Sequence, residues 1–325
     1  MRISSGTGYR LSVFLLGGLL VACGGGGGGG GGSSFSPLSI NSSNAGQVAS
    51  EAYAAGDLAV TGATSTTDMV AFNVGTAPSP TFNLRRFADD YLQRRNRGSS
   101  QMVTAQAVSD LVWNCSGGGE LIESWNDADG NFIDSAGDSY STTYNNCVEG
   151  GITMNGGVSA TLGDFSAAAM SGSFSFNNLS ISYSGFTVTI DGDMTYSASR
   201  TGSDASVTLQ ISSLTTTDPS GSSTIANATL QYSLNESTLA YSYTISATLS
   251  GTAIGGQVTV TTITPFAGTG AGYPESGSMR ITGAGGSSVT VTAIDGNNVR
   301  LDVDSNGDGA VDSTSTTTWA ALESL

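Results

Sequence analysis

Asp304, Asn306, Asp308 and Asp312 fall within one short stretch, Asp304-Ser305-Asn306-Gly307-Asp308-Gly309-Ala310-Val311-Asp312. Counted from Asp304, side-chain oxygens stand at positions one, three, five and nine. Gly309 takes position six, and Ala310 offers its backbone carbonyl at position seven. Oxygen donors at alternate positions let a loop wrap one hard cation, and this donor set suits Ca²⁺. Position twelve is Ser315, where such a loop gains a bidentate carboxylate. A plain hairpin turn uses the same Asp, Asn and Gly for its dihedrals, so both readings stand at this point. A second acidic stretch is Asp127-Ala128-Asp129-Gly130-Asn131, with Asp134 and Asp138 beyond it and Glu120 and Glu123 before it. Its spacing reads as outside that frame, either a solvated acidic loop or a second cation site. Asp191/Asp193 and Asp302/Asp304 are i, i+2 pairs, each on one strand face. Glycoside hydrolysis needs two carboxylates facing each other about 5–10 Å apart. Neighbouring Asp on one polar strand serve instead to discourage edge pairing.

The absent residue types narrow the chemistry further. The chain has no His, and its ten basic residues are all Arg. Ser-His-Asp and Cys-His nucleophile pairs and imidazole metal sites are therefore excluded. Without Lys there is no Schiff base and no Walker-A loop. No Gly-x-Ser-x-Gly elbow occurs. The expectation is a non-enzymatic protein. Acidic residues number 26. Residues 23–112 hold five Arg and six acids, whereas residues 113–325 hold three Arg and twenty acids. Such a body repels nucleic acid and anionic lipid and attracts divalent cations or basic partners.

The C-terminal stretch resembles the first nine positions of an EF-hand or dockerin-type calcium loop. That resemblance implies Ca²⁺ held by Asp304, Asn306, Asp308, the Ala310 carbonyl and Asp312. The departure at Ser315 weakens the calcium frame, and with a strand rather than a helix ahead of the loop it argues against signalling-type opening.

Residues 1–22 have the parts of an export signal. Arg2 and Arg10 are positive, and Leu11 to Ala22 form an apolar run of twelve residues, short of the roughly 20 that span a bilayer. Leu20-Val21-Ala22-Cys23 resembles the lipobox of bacterial lipoproteins. The resemblance implies a diacylglycerol on the Cys23 sulfur, removal of residues 1–22 and acylation of the new amino terminus. Gly24, rather than Asp, implies the outer membrane, with the body facing the periplasm or the cell surface. Several acyl chains on one residue make a stable anchor. Gly24 to Gly32 has no side chain to bury. As part of a tether of about 13 residues, it spans roughly 20 Å. With Cys23 lipidated, Cys115 and Cys147 form an even pair in an oxidising compartment, expected to bridge. Closing a loop of about 33 residues stabilises by roughly 3–4 kcal/mol on the chain-entropy model.

The elements that must position these groups follow from periodicity. Residues 41–56 read as a helix capped by Asn44, with Gln47 completing a capping box and Gly56 ending it. Residues 57–81 read as irregular. Residues 82–96 read as a second helix, with Leu84, Phe87, Ala88, Tyr91 and Leu92 on one face, and with Arg85, Arg86, Arg94, Arg95 and Arg97 around the other faces or at its C-terminal end. From about 150 onward the period is two: Val207, Leu209 and Ile211 alternate with polar residues, as do Val299, Leu301 and Val303. Parity slips at Asn177-Asn178, which predicts a bulge or turn. Asp191-Gly192, Gly285-Gly286 and Asp295-Gly296-Asn297-Asn298 read as hairpin connectors. About eleven strands in sequence order make a sheet that must curl or split.

The expected fold is mainly β. A large antiparallel meander forms a curved sheet, half-barrel or soluble barrel, with two short N-terminal helices; a β-sandwich is the alternative. The expected divisions are a signal over 1–22, the lipidated cysteine and tether over 23–36, a helical segment over 37–112 and a β domain over 113–325. The chain resembles Ser/Gly-rich bacterial lipoproteins with a Cys pair and a C-terminal Asp loop. The expected role is a membrane-anchored structural or binding module with a protein or glycan partner. Its rivals are a carrier holding a lipid against a concave sheet, and a carbohydrate-binding or carboxylate-dependent glycan-acting protein.

Overall fold

The structure, a computed structural model, describes residues 35–67 and 110–325 except 132, 133, 167, 220 and 271. The signal, Cys23, most of the glycine tether and the helix expected over 82–96 lie outside the described residues.

Fourteen strands, most of them alternating apolar and polar residues, form one antiparallel sheet in strict sequence order with no crossover. They are β1 (Leu111–Asn114), β2 (Glu120–Asn126), β3 (Ser139–Glu149), β4 (Ile152–Phe165), β5 (Ala169–Tyr183), β6 (Phe186–Thr201) and β7 (Asp204–Asp218). The meander continues through β8 (Gly221–Asn235), β9 (Ala240–Gly251), β10 (Gly256–Thr269), β11 (Ser276–Thr282), β12 (Ser288–Ala293), β13 (Asn298–Asp304) and β14 (Ser313–Thr318). Among the described residues two α-helices accompany it, α1 (Ala45–Thr67) and α2 (Trp319–Glu323). The fold is mainly β, and one continuous sheet replaces the two of a sandwich. The eleven strands expected after residue 150 correspond in number to β4–β14; β1–β3 precede them.

Helix α1 explains how so large a sheet closes its apolar face. Ala45, Val48, Ala49, Ala52, Tyr53 and Ala55 are buried. Gln47 donates to the Ala253 carbonyl beyond the end of β9 (2.7 Å), while Gly56 lies over Tyr243 and Ile245 nearer the start of that strand. The first turns of α1 therefore run along the strands. The helix also contacts β7 and β8 on one side and β11, β12 and β13 on the other. A helix is about 10 Å across, and β7 and β13 would be about 29 Å apart on a flat sheet. The sheet must curl around α1, giving a half-barrel with the helix in its hollow.

Three local expectations change. Gly56 does not end α1, which continues to Thr67. A Cβ there would make ordinary contact with the Tyr243 ring, at 3.4 Å, so this face of α1 lies directly on β9. Asn44 and Gln47 form no capping box. Asn44 accepts from the Asn41 amide and donates to the Ser39 carbonyl, and Gln47 is spent on Ala253. Asp191-Gly192 lies inside β6 rather than at a turn. The other two connectors do turn the chain, between β11 and β12 and between β12 and β13.

Helix α2 closes the open side. Trp319 is fully buried and lies within 4.8–6.2 Å, ring centre to ring centre, of Tyr53, Phe266 and Tyr273. Its Nε1 donates to the Asp295 carbonyl at 3.3 Å. Thr318 caps the helix by accepting from the Ala321 amide. Among the described residues no helix is long and apolar enough to cross a membrane.

A row of bulges bends the long strands. The sequence pattern is apolar, polar, polar, apolar: Tyr144-Asn145-Asn146-Cys147 on β3, Phe176-Asn177-Asn178-Leu179 on β5 and Ile211-Ser212-Ser213-Leu214 on β7. At each, the register shifts against a neighbouring strand. Asn146 and Asn178 have left-handed backbone, with φ of 50° and 46°. Their amides are held by side chains on the next strand, Asn155 Oδ1 at 2.8 Å and Asp191 Oδ2 at 3.0 Å. The residue after each holder is glycine, Gly156 or Gly192. A Cβ on Gly156 would lie 2.1 Å from the Asn178 carbonyl oxygen, and one on Gly192 would lie 2.0 Å from that of Ser213. Bulges bend strands and increase twist, so a row of them coils the sheet along one line.

Candidate functional site

The loop between β2 and β3 holds the tightest cluster of carboxylates among the described residues. Asp127, Asp129 and Asp138 each bring an oxygen within 4.8 Å of the others, so this acidic triad could hold a metal ion. Asp138 is fully buried and accepts from the amides of Ala128 and Ser135, each at 2.8 Å. Asp127 Oδ1 accepts from the Gly130 amide at 2.7 Å. Asp129 accepts from the Asn131 amide and side chain, at 3.1 and 2.7 Å. Ser135 Oγ lies 3.1 Å from Asp129 and 3.4 Å from Asp138. Asp134 points elsewhere, to the Tyr140 hydroxyl. Counted from Asp127, residues Asp127, Asp129, Asn131 and Asp138 occupy positions one, three, five and twelve of the calcium-loop frame. The displaced glycine, at position four instead of six, hid that frame in the sequence.

A disulfide braces this loop. Cys115 and Cys147 are bonded, with Cα atoms 5.4 Å apart. The bridge ties the turn before β2 to the bulged end of β3 and so closes the segment that contains the acidic loop.

The C-terminal stretch is arranged differently. Asp304 is buried, with one oxygen accepting from the Gly307 amide (2.7 Å) and the other from Gly309 (2.9 Å). Arg280 lies 3.8 Å away. Asn306 Oδ1 accepts from the Asp308 amide and Asp308 Oδ1 from that of Ala310, each at 2.8 Å. Asp312 accepts from the Ser305 side chain and amide, which hold its carboxyl below the ordinary range. Ser315, at position twelve, is exposed on β14. Asp304, Asp308 and Asp312 do not form a three-carboxylate group within 4.8 Å. The loop packs instead on the β11–β12 turn, where a Cβ on Gly307 would meet the Gly285 carbonyl oxygen at 2.3 Å.

The Asp pairs divide between structural and surface roles. Asp191 holds the Asn178 bulge. Asp302 accepts from Arg300 Nε and Thr314 Oγ1, each at 2.8 Å. Asp193 stays exposed and lines a cleft of about 230 Å³ on the convex face, with Ser159, Ser173, Ser175, Thr195 and Ser212. Of the three Trp, only Trp113 is exposed, on β1.

Ionisation is otherwise perturbed at isolated groups. Burial pushes Glu51 on α1 up from the ordinary carboxylate value, raises Tyr196, and pushes Tyr232 up to about 12. Hydrogen bonds from Asn297 and Asn298 hold Asp295 down at its turn. Comparison with known protein families, curated proteins and solved structures gives no match.

Proposed function

We propose that this chain is an envelope lipoprotein, anchored to the outer membrane through Cys23, whose β body is a non-enzymatic structural or binding module stabilised by Ca²⁺. The observation that carries the calcium part is the convergence of Asp127, Asp129 and Asp138 inside a disulfide-closed loop. Carboxylates so close repel one another, and a divalent cation relieves that repulsion. Hard oxygen donors at this spacing favour Ca²⁺. The C-terminal loop serves in this reading as a second, weaker site, because its carboxylates do not converge within 4.8 Å of one another as those of Asp127, Asp129 and Asp138 do.

The lipobox and glycine run support the anchor, and the Cys pair supports an oxidising compartment. The absence of His and Lys, with the structural roles of Asp191, Asp302 and Asp304, supports a body without catalysis. Helix α1 occupies the hollow between β7 and β13, which weighs against a lipid carrier. The anchor is tested by fractionation: Cys23→Ser moves the protein from membranes to the soluble fraction. A Cys23→Ser protein that still sediments with membranes refutes the anchor.

A further inference from the structure

We propose that the convex face of β3–β7 binds a linear, uncharged polysaccharide lying across the strands. This deepens the reading of the body as a binding module and rests on it. The row of bulges carries exposed amides and hydroxyls at regular intervals: Asn145 and Asn146 on β3, Asn177 and Asn178 on β5, Ser212 and Ser213 on β7. These are alternate strands, so successive pairs stand about 10 Å apart across the sheet. That is the repeat of two sugar units in an extended glycan.

The cleft of about 230 Å³ opens beside the row. Ser212, the extra residue in β7, lines it where the β6–β7 register shifts between Asp193 and Met194. A cleft of this size is smaller than the pockets of drug-sized ligands and suits one sugar of a longer chain. Serine and threonine hydroxyls both donate and accept, which matches sugar hydroxyls. Asp193 adds an exposed carboxylate that accepts from two neighbouring hydroxyls. No cationic side chain lines the cleft, so an anionic polymer is disfavoured.

The full chain, purified in detergent with Ca²⁺, is tested for retention on cellulose and chitin. Cello- and chito-oligosaccharides from dimer to hexamer are then titrated. The proposal expects retention on one polymer and affinity rising about tenfold or more with length, as repeated contacts engage. Asp193→Ala removes the acceptor, and Ser175→Trp fills the cleft; each weakens binding about tenfold with an unchanged melting midpoint. If Ser175→Trp fails to fold, Asp193→Ala decides alone. No retention on either polymer overturns the proposal, as does retention unaffected by Asp193→Ala, or retention on heparin alone. The measurement uses no membrane, so failure of the anchor leaves its result readable.

Discussion

At the scale of single residues, the charged and glycine positions make the sharpest claims. Glu51 lies on a helix enclosed by the sheet, and burial raises its carboxyl above 4.5. The sign follows from linkage. Below the unfolded value both states are protonated and no penalty exists. Stability is lost as pH rises through the folded value, because the folded state resists ionisation. Glu51→Gln is therefore expected to melt higher than the parent at pH 7, with the difference vanishing below pH 4.5; a constant difference across pH would contradict this. Gly192 has φ of 133° and sits where a Cβ would meet the Ser213 carbonyl oxygen. Gly192→Ala should cost about 2 kcal/mol or more by denaturant unfolding, since strained backbone alone costs about 1–3 kcal/mol. A neutral effect would mean that the bulge row does not constrain the sheet.

At the scale of elements, the sheet is legible in the sequence wherever one face is buried. Val207, Leu209 and Ile211 alternate cleanly and are all buried in β7. β14 carries Ser-Thr-Ser-Thr-Thr-Thr, with no apolar face to betray it, and pairs with β13 along its whole length. Helix α2 is five residues long, too short for a period to show. It buries Trp319 and Leu322 fully, and Trp319 joins Tyr53 of α1 to Phe266 of β10. Trp319→Ala is expected to cost about 3–5 kcal/mol. The measurement is the denaturant midpoint, with a loss under about 1 kcal/mol marking α2 as peripheral.

At the scale of the whole molecule, the meander, its curl and the disulfide were readable, while the extension of α1 past Gly56 to Thr67 was not. Periodicity reports which face of a strand is buried, not what covers it. The small residues of α1 let a curled sheet approach it from both sides. The acidic site shows the same limit. Asp127, Asp129 and Asp138 stood in the sequence, but Asp138 lies eleven positions from Asp127 and meets it only when the loop closes between β2 and β3. The four-residue bulge pattern recurs after 32 and then 35 residues, a period that a search for internal repeats would find. Together these features describe a braced, curled sheet whose acidic loop, on the function proposed above, depends on a cation.

That dependence is tested most directly by thermal unfolding of the full chain in EDTA and in Ca²⁺ at about one hundred times its dissociation constant. Binding to the folded state alone then adds about 2.7 kcal/mol, a rise of roughly 5–10 °C for a body of this size. The account predicts that rise in the parent protein, its loss in Asp129→Asn and its retention in Asp308→Asn. Equal midpoints in EDTA and Ca²⁺ would contradict it, and loss of the rise in Asp308→Asn but not Asp129→Asn would move the site to the C-terminal loop.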